Sequence, residues 1–402
     1  MTICVVGLGY IGLPTALMLA SNGNHVLAVD YNKALVDKLQ NGEVTFEEKG
    51  LPELFEAAHK NITFLHDYPD ADLYIVAVPT PYLADSKKVD AKYVCGAVQN
   101  ALDACRDGAI IVVESTVSPG TIDRYVRPVV EQSGRRVELA HAPERIIPGN
   151  MVYELVHNSR TIGADKPEIA ETVRTVYSSF CQGEIVLTDI RTAEMTKVVE
   201  NTFRDINIAY ANELLKICRS DNMDVYEIIR IANKHPRVNI LQPGPGVGGH
   251  CISVDPWFLV GDYPELAKLI GTARHINDSM PAFVLERVHD IMKEKGMTDV
   301  SRVGLYGLTY KENVDDIRES PTLQLLECQE KHLAEPLKVY DPYVKRDVVK
   351  NQYHDLDSFL ADVDLVVVMV AHDEIKENLD KLAGKVVLDT RNICGSIDRY
   401  TL

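Results

Sequence analysis

The chain has 402 residues, with 42 Lys and Arg against 59 Asp and Glu, a formal net charge of -17 and 46% hydrophobic residues. Collagen, coiled coil and disordered polymer are excluded, and the length suits two or three domains that each bury a core. The acidic balance repels phosphate backbones and anionic membranes, so neither nucleic acid nor a membrane is an expected partner, and an anionic ligand must be gripped by cations gathered locally.

Eight cysteines (Cys4, Cys95, Cys105, Cys181, Cys218, Cys251, Cys328, Cys394) show no CxxC spacing. Neither a disulfide framework nor a metal site is expected. The opening Met1-Thr2-Ile3-Cys4-Val5-Val6-Gly7 reads as a strand and not as a signal peptide. The longest apolar run, 365–371, is far below the roughly 20 residues of a membrane helix. A cytoplasmic protein is expected.

In chain order, the first third alternates β-rich runs (3–6, 25–29, 73–78, 109–113) with helical stretches, a pattern that specifies a parallel sheet covered by helices. From 192 to 233 the periodicity is helical and free of proline. The stretch 242–251, Gln242-Pro243-Gly244-Pro245-Gly246-Val247-Gly248-Gly249-His250-Cys251, is too rich in breakers for regular structure, and more helix is expected over 264–295. A second α/β series begins at Arg302, with strands expected at 303–308, 337–340, 365–370 and 386–388. The expected fold is α/β, with two Rossmann-like domains of parallel sheet joined by a long central helical segment. The expected divisions are 1–190, 191–295 and 296–402.

Gly7-Leu8-Gly9-Tyr10-Ile11-Gly12 follows a strand, opens a helix and precedes Asp30 at the end of the next strand. In that context the glycines admit a pyrophosphate to a helix N-terminus, and Asp30 accepts from the adenosine ribose, which favours NAD over NADP. Lys33 lies either beside the ribose or in solvent. The second series has only Gly304-Leu305-Tyr306-Gly307, so it is expected to hold a different ligand. Lys197, Asn201 and Arg204 recur at i, i+4 and i+7, which fits either a solvated face or a polar cleft. Cys251 sits in a glycine-rich loop beside His250 and four residues before Asp255, a setting that can favour a nucleophilic thiolate, and the other seven cysteines are assigned to packing. Glu144 and Arg145 stand side by side in a turn, where the plain reading is a surface ion pair.

Gly7 to Gly12 with Asp30, Val78-Pro79-Thr80-Pro81, Glu114-Ser115-Thr116-Val117, Ala142-Pro143-Glu144-Arg145, Lys197 with Asn201, Gly248-Gly249-His250-Cys251 with Asp255, and Gly307-Leu308-Thr309-Tyr310-Lys311 through Arg318-Glu319-Ser320-Pro321 occur in one order. That order resembles the UDP-glucose/GDP-mannose dehydrogenase family along nearly the whole chain. The loop 235–247 is similar to members that act on UDP-N-acetyl-D-mannosamine. His250, where UDP-glucose members generally carry a small residue, supports an N-acetylhexosamine substrate.

The resemblance implies a four-electron oxidation of a sugar C6 alcohol to the acid, with two NAD reduced, for surface polysaccharide synthesis. It gives Cys251 the part of nucleophile, through a thiohemiacetal and a thioester. Lys197, Asn201 and Asp255 serve proton transfer and the oxyanion, and Glu144 with Thr116 positions the hydrolytic water. Gly7, Gly9, Tyr10, Ile11, Gly12, Asp30, Lys33, Pro79, Thr80, Ser115, Thr116 and Arg318 would hold NAD. Arg145, Ile146, Lys197, Asn201, Arg204, His235, Arg237, Gly248, Tyr310, Lys311 and Arg391 would hold the UDP-sugar. A homodimer or higher homo-oligomer through the central helices is implied, with Arg237 reaching the neighbouring site. Competing readings are the same reaction on UDP-N-acetylglucosamine, UDP-glucose or GDP-mannose, a one-step hydroxyacid dehydrogenase, or a nucleotide-sugar- or NAD-sensing binding protein.

Overall fold

A computed structural model describes residues 1–331, 337–395 and 397–402. They form two compact units, Met1–Glu200 with Trp257–Pro264, and Asn201–Pro256 with Glu265–Leu402.

The first unit is built on eight strands: β1 (Thr2–Val6), β2 (His25–Val29), β3 (Ile62–Leu65), β4 (Leu73–Val76), β5 (Ile110–Val113), β6 (Glu138–His141), β7 (Arg160–Ala164) and β8 (Ile185–Thr188). Their order is β3-β2-β1-β4-β5-β6-β7-β8. The sequence of β1, all β-branched or small, buries both faces as a central parallel strand must. Ile3 and Val5 join one apolar cluster with Leu13 and Leu17, while Cys4 and Val6 join the opposite one with Tyr74 and Ile111. Every neighbouring pair is parallel except β6 with β7, a departure from the all-parallel expectation. Between them lie a loop and the seven-residue helix Met151–His157, which turn the chain around instead of returning it to the start of a parallel strand.

The second unit has β9 (Val303–Tyr306), β10 (Lys338–Tyr340), β11 (Gln352–Tyr353), β12 (Leu365–Val368), β13 (Val386–Asp389) and β14 (Tyr400–Thr401), in the order β11-β10-β9-β12-β13-β14. This is the same permutation as the first six strands of the other sheet, the doubly wound order whose crevice lies where the winding reverses. Strands β11 and β14 escape sequence reading because two residues each give no periodicity.

The expected central helix is two: Ile190–Ser220, and Val225–Ala232 after a break at Asn222, whose φ is 52°. Asp224 caps the second by accepting from the N–H groups of Tyr226 and Glu227. The helix Asp255–Asp262 is an addition to the sequence reading, and the stretch expected as helix over 264–295 divides into Lys268–Asp278 and Met280–Lys295. Among the described residues no helix is long and apolar enough to cross a membrane.

Candidate active site

In the first unit the turn after β1 leads into the helix Gly12–Ser21, whose first turn has no side-chain cap. Uncapped N–H groups at a helix start suit an anionic phosphate. Gly12 is obligatory here, since a Cβ would stand 1.8 Å from the Gly7 carbonyl oxygen. Gly7 donates its N–H to Val29 O at 2.8 Å, and Asp30 closes the turn by accepting from Leu8 N at 2.7 Å and Asn32 N at 2.8 Å. Asp30 is half-buried and so keeps a face for a ribose. The turn thus fits a dinucleotide. Tyr10 packs on Phe46 at 4.5 Å beside half-buried Ile11, and Gly9 and Lys33 are exposed.

At the carboxyl ends of β4 and β5, Pro79 is exposed, while Thr80 Oγ1 donates to Thr116 O at 2.7 Å and Ser115 Oγ to Val78 O at 2.6 Å. These bonds tie the two loops to each other. Glu194, on the long helix Ile190–Ser220, accepts from the backbone N–H of Gly120 and, at 2.9 Å, of Ile122. Burial pushes its carboxyl up to about 7 against the pull of those two N–H groups. The same unit sandwiches Lys87 over the rings of Tyr82 (4.9 Å) and Trp257 (4.6 Å).

Glu144 and Arg145 do not form the surface pair their adjacency suggests. Glu144 is buried and ion-paired with Arg160, and its Oε1 accepts from the N–H groups of Arg145 (2.6 Å) and Ile146 (3.2 Å). Arg145 turns instead to Glu200 at 2.5 Å, and Ile146 is buried. Neighbours in a turn diverge, and each charge found its partner across the fold. Arg160, 2% exposed, also faces Glu114 at 3.4 Å and lies over the Tyr177 ring at 4.3 Å. Tyr177 donates to Glu114 at 2.9 Å, and burial raises the Glu114 carboxyl above its ordinary value.

The long helix carries a buried polar stripe: Glu194, Lys197, Asn201, Asp205 and Asn212 are all under a tenth exposed. Arg204, placed on that face by the sequence reading, is exposed. At 100° per residue it falls roughly 70° from the centre of the stripe, and Asp205 takes the buried place.

In the second unit Asn201 Nδ2 donates to Asp255 Oδ2 at 2.6 Å, both side chains buried. Cys251 lies in the turn entering the helix Asp255–Asp262, its carbonyl accepting from the N–H groups of Val254 and Asp255. All eight cysteines are thiols, and Cys251 is the exposed one; Cys95 and Cys328 are half-buried and the rest buried. Gly249 has φ +87°, and a Cβ there would lie 2.7 Å from the Tyr310 ring, so the loop folds tightly onto Tyr310 beside half-buried Gly248. The His250 imidazole is pushed down by burial and by the Arg318 guanidinium, which keeps it neutral. Arg318 itself is exposed, pairs with Asp316 at 2.6 Å and accepts Gly249 N–H on its carbonyl. It belongs to the second unit, whereas the glycine turn belongs to the first.

Lys311 is half-buried, and His235 and Arg237 are exposed just after the helix Val225–Ala232. Exposed Arg391 reaches the same loop, its guanidinium 2.8 Å from where a Cβ on Gly244 would be. Glu194, Arg160 and Asp205 were not singled out from sequence. A continued count along the helix at three- and four-residue steps would have found Glu194 and Asp205, whereas Arg160 begins a strand and leaves no pattern.

Three family models match consecutive parts of the chain: the NAD binding domain of the UDP-glucose/GDP-mannose dehydrogenase family at 1–181, its central domain at 191–279 and its UDP binding domain at 304–396. The UDP-N-acetyl-D-mannosamine dehydrogenase of Methanococcus maripaludis is 44% identical over 97% of this chain and 92% of its own. The NDP-N-acetyl-D-galactosaminuronic acid dehydrogenase of Ralstonia nicotianae is 40% identical, with 98% and 96% covered. Among solved structures, the UDP-N-acetyl-mannosamine dehydrogenase Cap5O from Staphylococcus aureus superposes with a TM-score of 0.89 at 42% identity, covering 100% of this chain and 98% of that one. The glycine turn and Asp30 lie within the part matched by the NAD binding domain, and the chain belongs to the UDP-glucose/GDP-mannose dehydrogenase family.

Proposed function

We propose that the protein oxidises the C6 alcohol of UDP-N-acetyl-D-mannosamine to the carboxylate, in the cytoplasm, for surface polysaccharide synthesis. The names of the relatives and the loop 235–247 support the sugar. The observation that carries the mechanism is Cys251: an exposed thiol in a turn moulded by glycines, next to a buried Asn201–Asp255 bond. The glycine turn with Asp30 would hold NAD, which would supply the hydride acceptor for each oxidation, with a second NAD replacing the reduced one between them.

The chain's residues do the remainder. Lys197, or a water held by Asp255, takes the proton of the C6 hydroxyl. Cys251 sulfur adds to the aldehyde carbon, and Lys197 and Asn201 steady the oxygen through the thiohemiacetal and thioester. Glu144, anchored by Arg160, and Thr116 orient the water that releases the acid. Residues 1–190 hold the dinucleotide, 296–402 the UDP group, and 191–295 the catalytic loop and a homodimer contact. Exposed Phe203, Tyr210 and Ile217, seven residues apart on the long helix, support that contact, with Arg237 entering the partner's site.

NADH formed per UDP-N-acetylmannosamine consumed tests this reading, with UDP-N-acetylgalactosamine, UDP-N-acetylglucosamine and UDP-glucose alongside. About two NADH per sugar, lost in Cys251→Ala, is expected from two hydride transfers. One NADH, indifferent to the mutation, would mean a single alcohol oxidation.

A further inference from the structure

Between Pro243 and Pro245 the loop leading to Cys251 has one backbone donor, the N–H of Gly244, because a proline nitrogen carries no hydrogen. That N–H donates to Asn212 Oδ1 at 2.9 Å. Asn212 Nδ2 donates to Asn277 Oδ1 at 2.9 Å, and Asn277 Nδ2 donates to Asp205 Oδ1 at 2.8 Å and to its carbonyl at 3.0 Å. Arg274, through Nη1, donates to the same carboxylate oxygen at 2.6 Å. The first three side chains are 0% exposed and Arg274 is 1% exposed.

Such a chain has a direction. A carboxylate only accepts, so Asp205 turns the NH2 of Asn277 toward itself and the Asn277 carbonyl toward Asn212. Asn212 must then give its NH2 to Asn277 and its carbonyl to Gly244. The orientation of an amide under the loop is therefore set by a buried ion pair two hydrogen bonds away. An inverted Asn212 would set NH against the Gly244 N–H and carbonyl against the Asn277 carbonyl, two opposed pairs at a fully buried side chain.

We propose that Asp205, Asn212, Asn277 and Arg274 form a polarised chain of positioning residues that fixes the loop 242–251, and with it Cys251, for the reaction proposed above, on whose reading of Cys251 this inference rests. None of the four touches the reacting atoms. They act by holding Gly244 where the sulfur and the sugar can meet.

Steady-state kinetics and the rate of Cys251 alkylation by iodoacetamide, measured on full-length variants, test it. Asn212→Leu removes the acceptor and keeps the volume. A fall in kcat/KM of about a hundredfold, with a raised KM for the UDP-sugar and an altered alkylation rate, is expected from a displaced loop. Asn212→Asp alone sets two acceptors against each other at Asn277 and should lose about tenfold; adding Asp205→Asn lets the two bonds through the Asn277 amide reverse while Gly244 N–H still donates to position 212, conserves the charge and should recover most of that loss.

A role in folding alone would lower the melting temperature while leaving KM and alkylation unmoved, and that result in Asn212→Leu would overturn the proposal. Strictly additive losses in Asp205→Asn with Asn212→Asp would overturn it too, whether or not Asn212→Leu folds. The two readings fail separately: full turnover in Cys251→Ala removes the nucleophile, whereas wild-type KM and alkylation in Asn212→Leu remove the positioning chain.

Discussion

The two sheets repeat one device and use it differently. After β1, Gly7 (φ +90°) donates to the end of β2, and Asp30 accepts Leu8 N–H; after β9, Gly307 (φ +98°) donates to Tyr340 O at 2.7 Å, and Asp341 accepts Leu308 N–H at 2.6 Å. The far oxygen takes Asn32 N–H in the first turn and Tyr343 N–H in the second, each at 2.8 Å. From there the two turns part. Asp341 is 2% exposed, and its Oδ2 also accepts from Thr309 N at 3.0 Å and faces His372 Nε2 at 3.1 Å. Because His372 Nδ1 accepts from Asn313 N–H at 2.9 Å, the ring proton sits on Nε2 and points at the carboxylate. Asp341 is thus filled from within, while half-buried Asp30 has capacity to spare. The lesson is that an acid at the end of the second strand is open to a ribose only where the protein leaves its oxygens unfilled.

Identical substitutions at the two acids would break that distinction most directly. Asp341→Asn should cost about 3 kcal/mol of stability in thermal unfolding, the usual loss when a buried, multiply bonded charge is removed. Its NAD titration should match wild type. Burial works against the Asp341 charge, yet His372 and the N–H groups of Leu308 and Thr309 hold its carboxyl below the ordinary value. This contribution is therefore fully present above the ordinary value and is lost as the pH falls from there through the lowered folded value.

The first unit has a buried carboxylate of its own in Glu194, on the long helix, with the opposite sign. Its folded value of about 7 lies above the 4.5 of an unfolded glutamate. The unfolded chain ionises first as the pH rises, so stability present below pH 4.5 is lost by about pH 7, up to about 3 kcal/mol. Subtracting the pH–stability curve of Glu194→Gln from that of wild type should show this slope, and a flat difference would refute the assignment. His141, pushed down by burial to about 4, slopes the other way across the same window. The whole-protein curve will hide both.

The smallest effect belongs to the open acid. Asp30→Asn should weaken NAD about tenfold, roughly 1.4 kcal/mol, with melting nearly unchanged. Equal losses of NAD affinity at positions 30 and 341 would erase the contrast between the sheets.

Glycines and an acid at fixed spacing made the first turn legible in the sequence, because backbone sterics demand them, and apolar runs made the central strands legible for the same kind of local reason. Burial and distant pairing were not legible. Glu144 beside Arg145 reads as a pair, but the fold gives the acid to Arg160 and the base to Glu200. Asn212 and Asn277 lie 65 residues apart, and nothing in either neighbourhood announces a shared hydrogen bond. Arg204 lies only about 20° around the helix from buried Lys197 and yet is exposed, because packing and not spacing sets where the buried stripe ends.

The chain has a single tryptophan, and it is the indole lying against Lys87 on the loop that follows Thr80. The protein therefore carries its own optical label. With Trp257 only 7% exposed, its emission should be that of an apolar environment, partly quenched by the neighbouring ammonium. Any closure of the Thr80 loop over a dinucleotide will change the intensity, so cofactor binding can be timed in stopped flow by light alone, without attaching a dye.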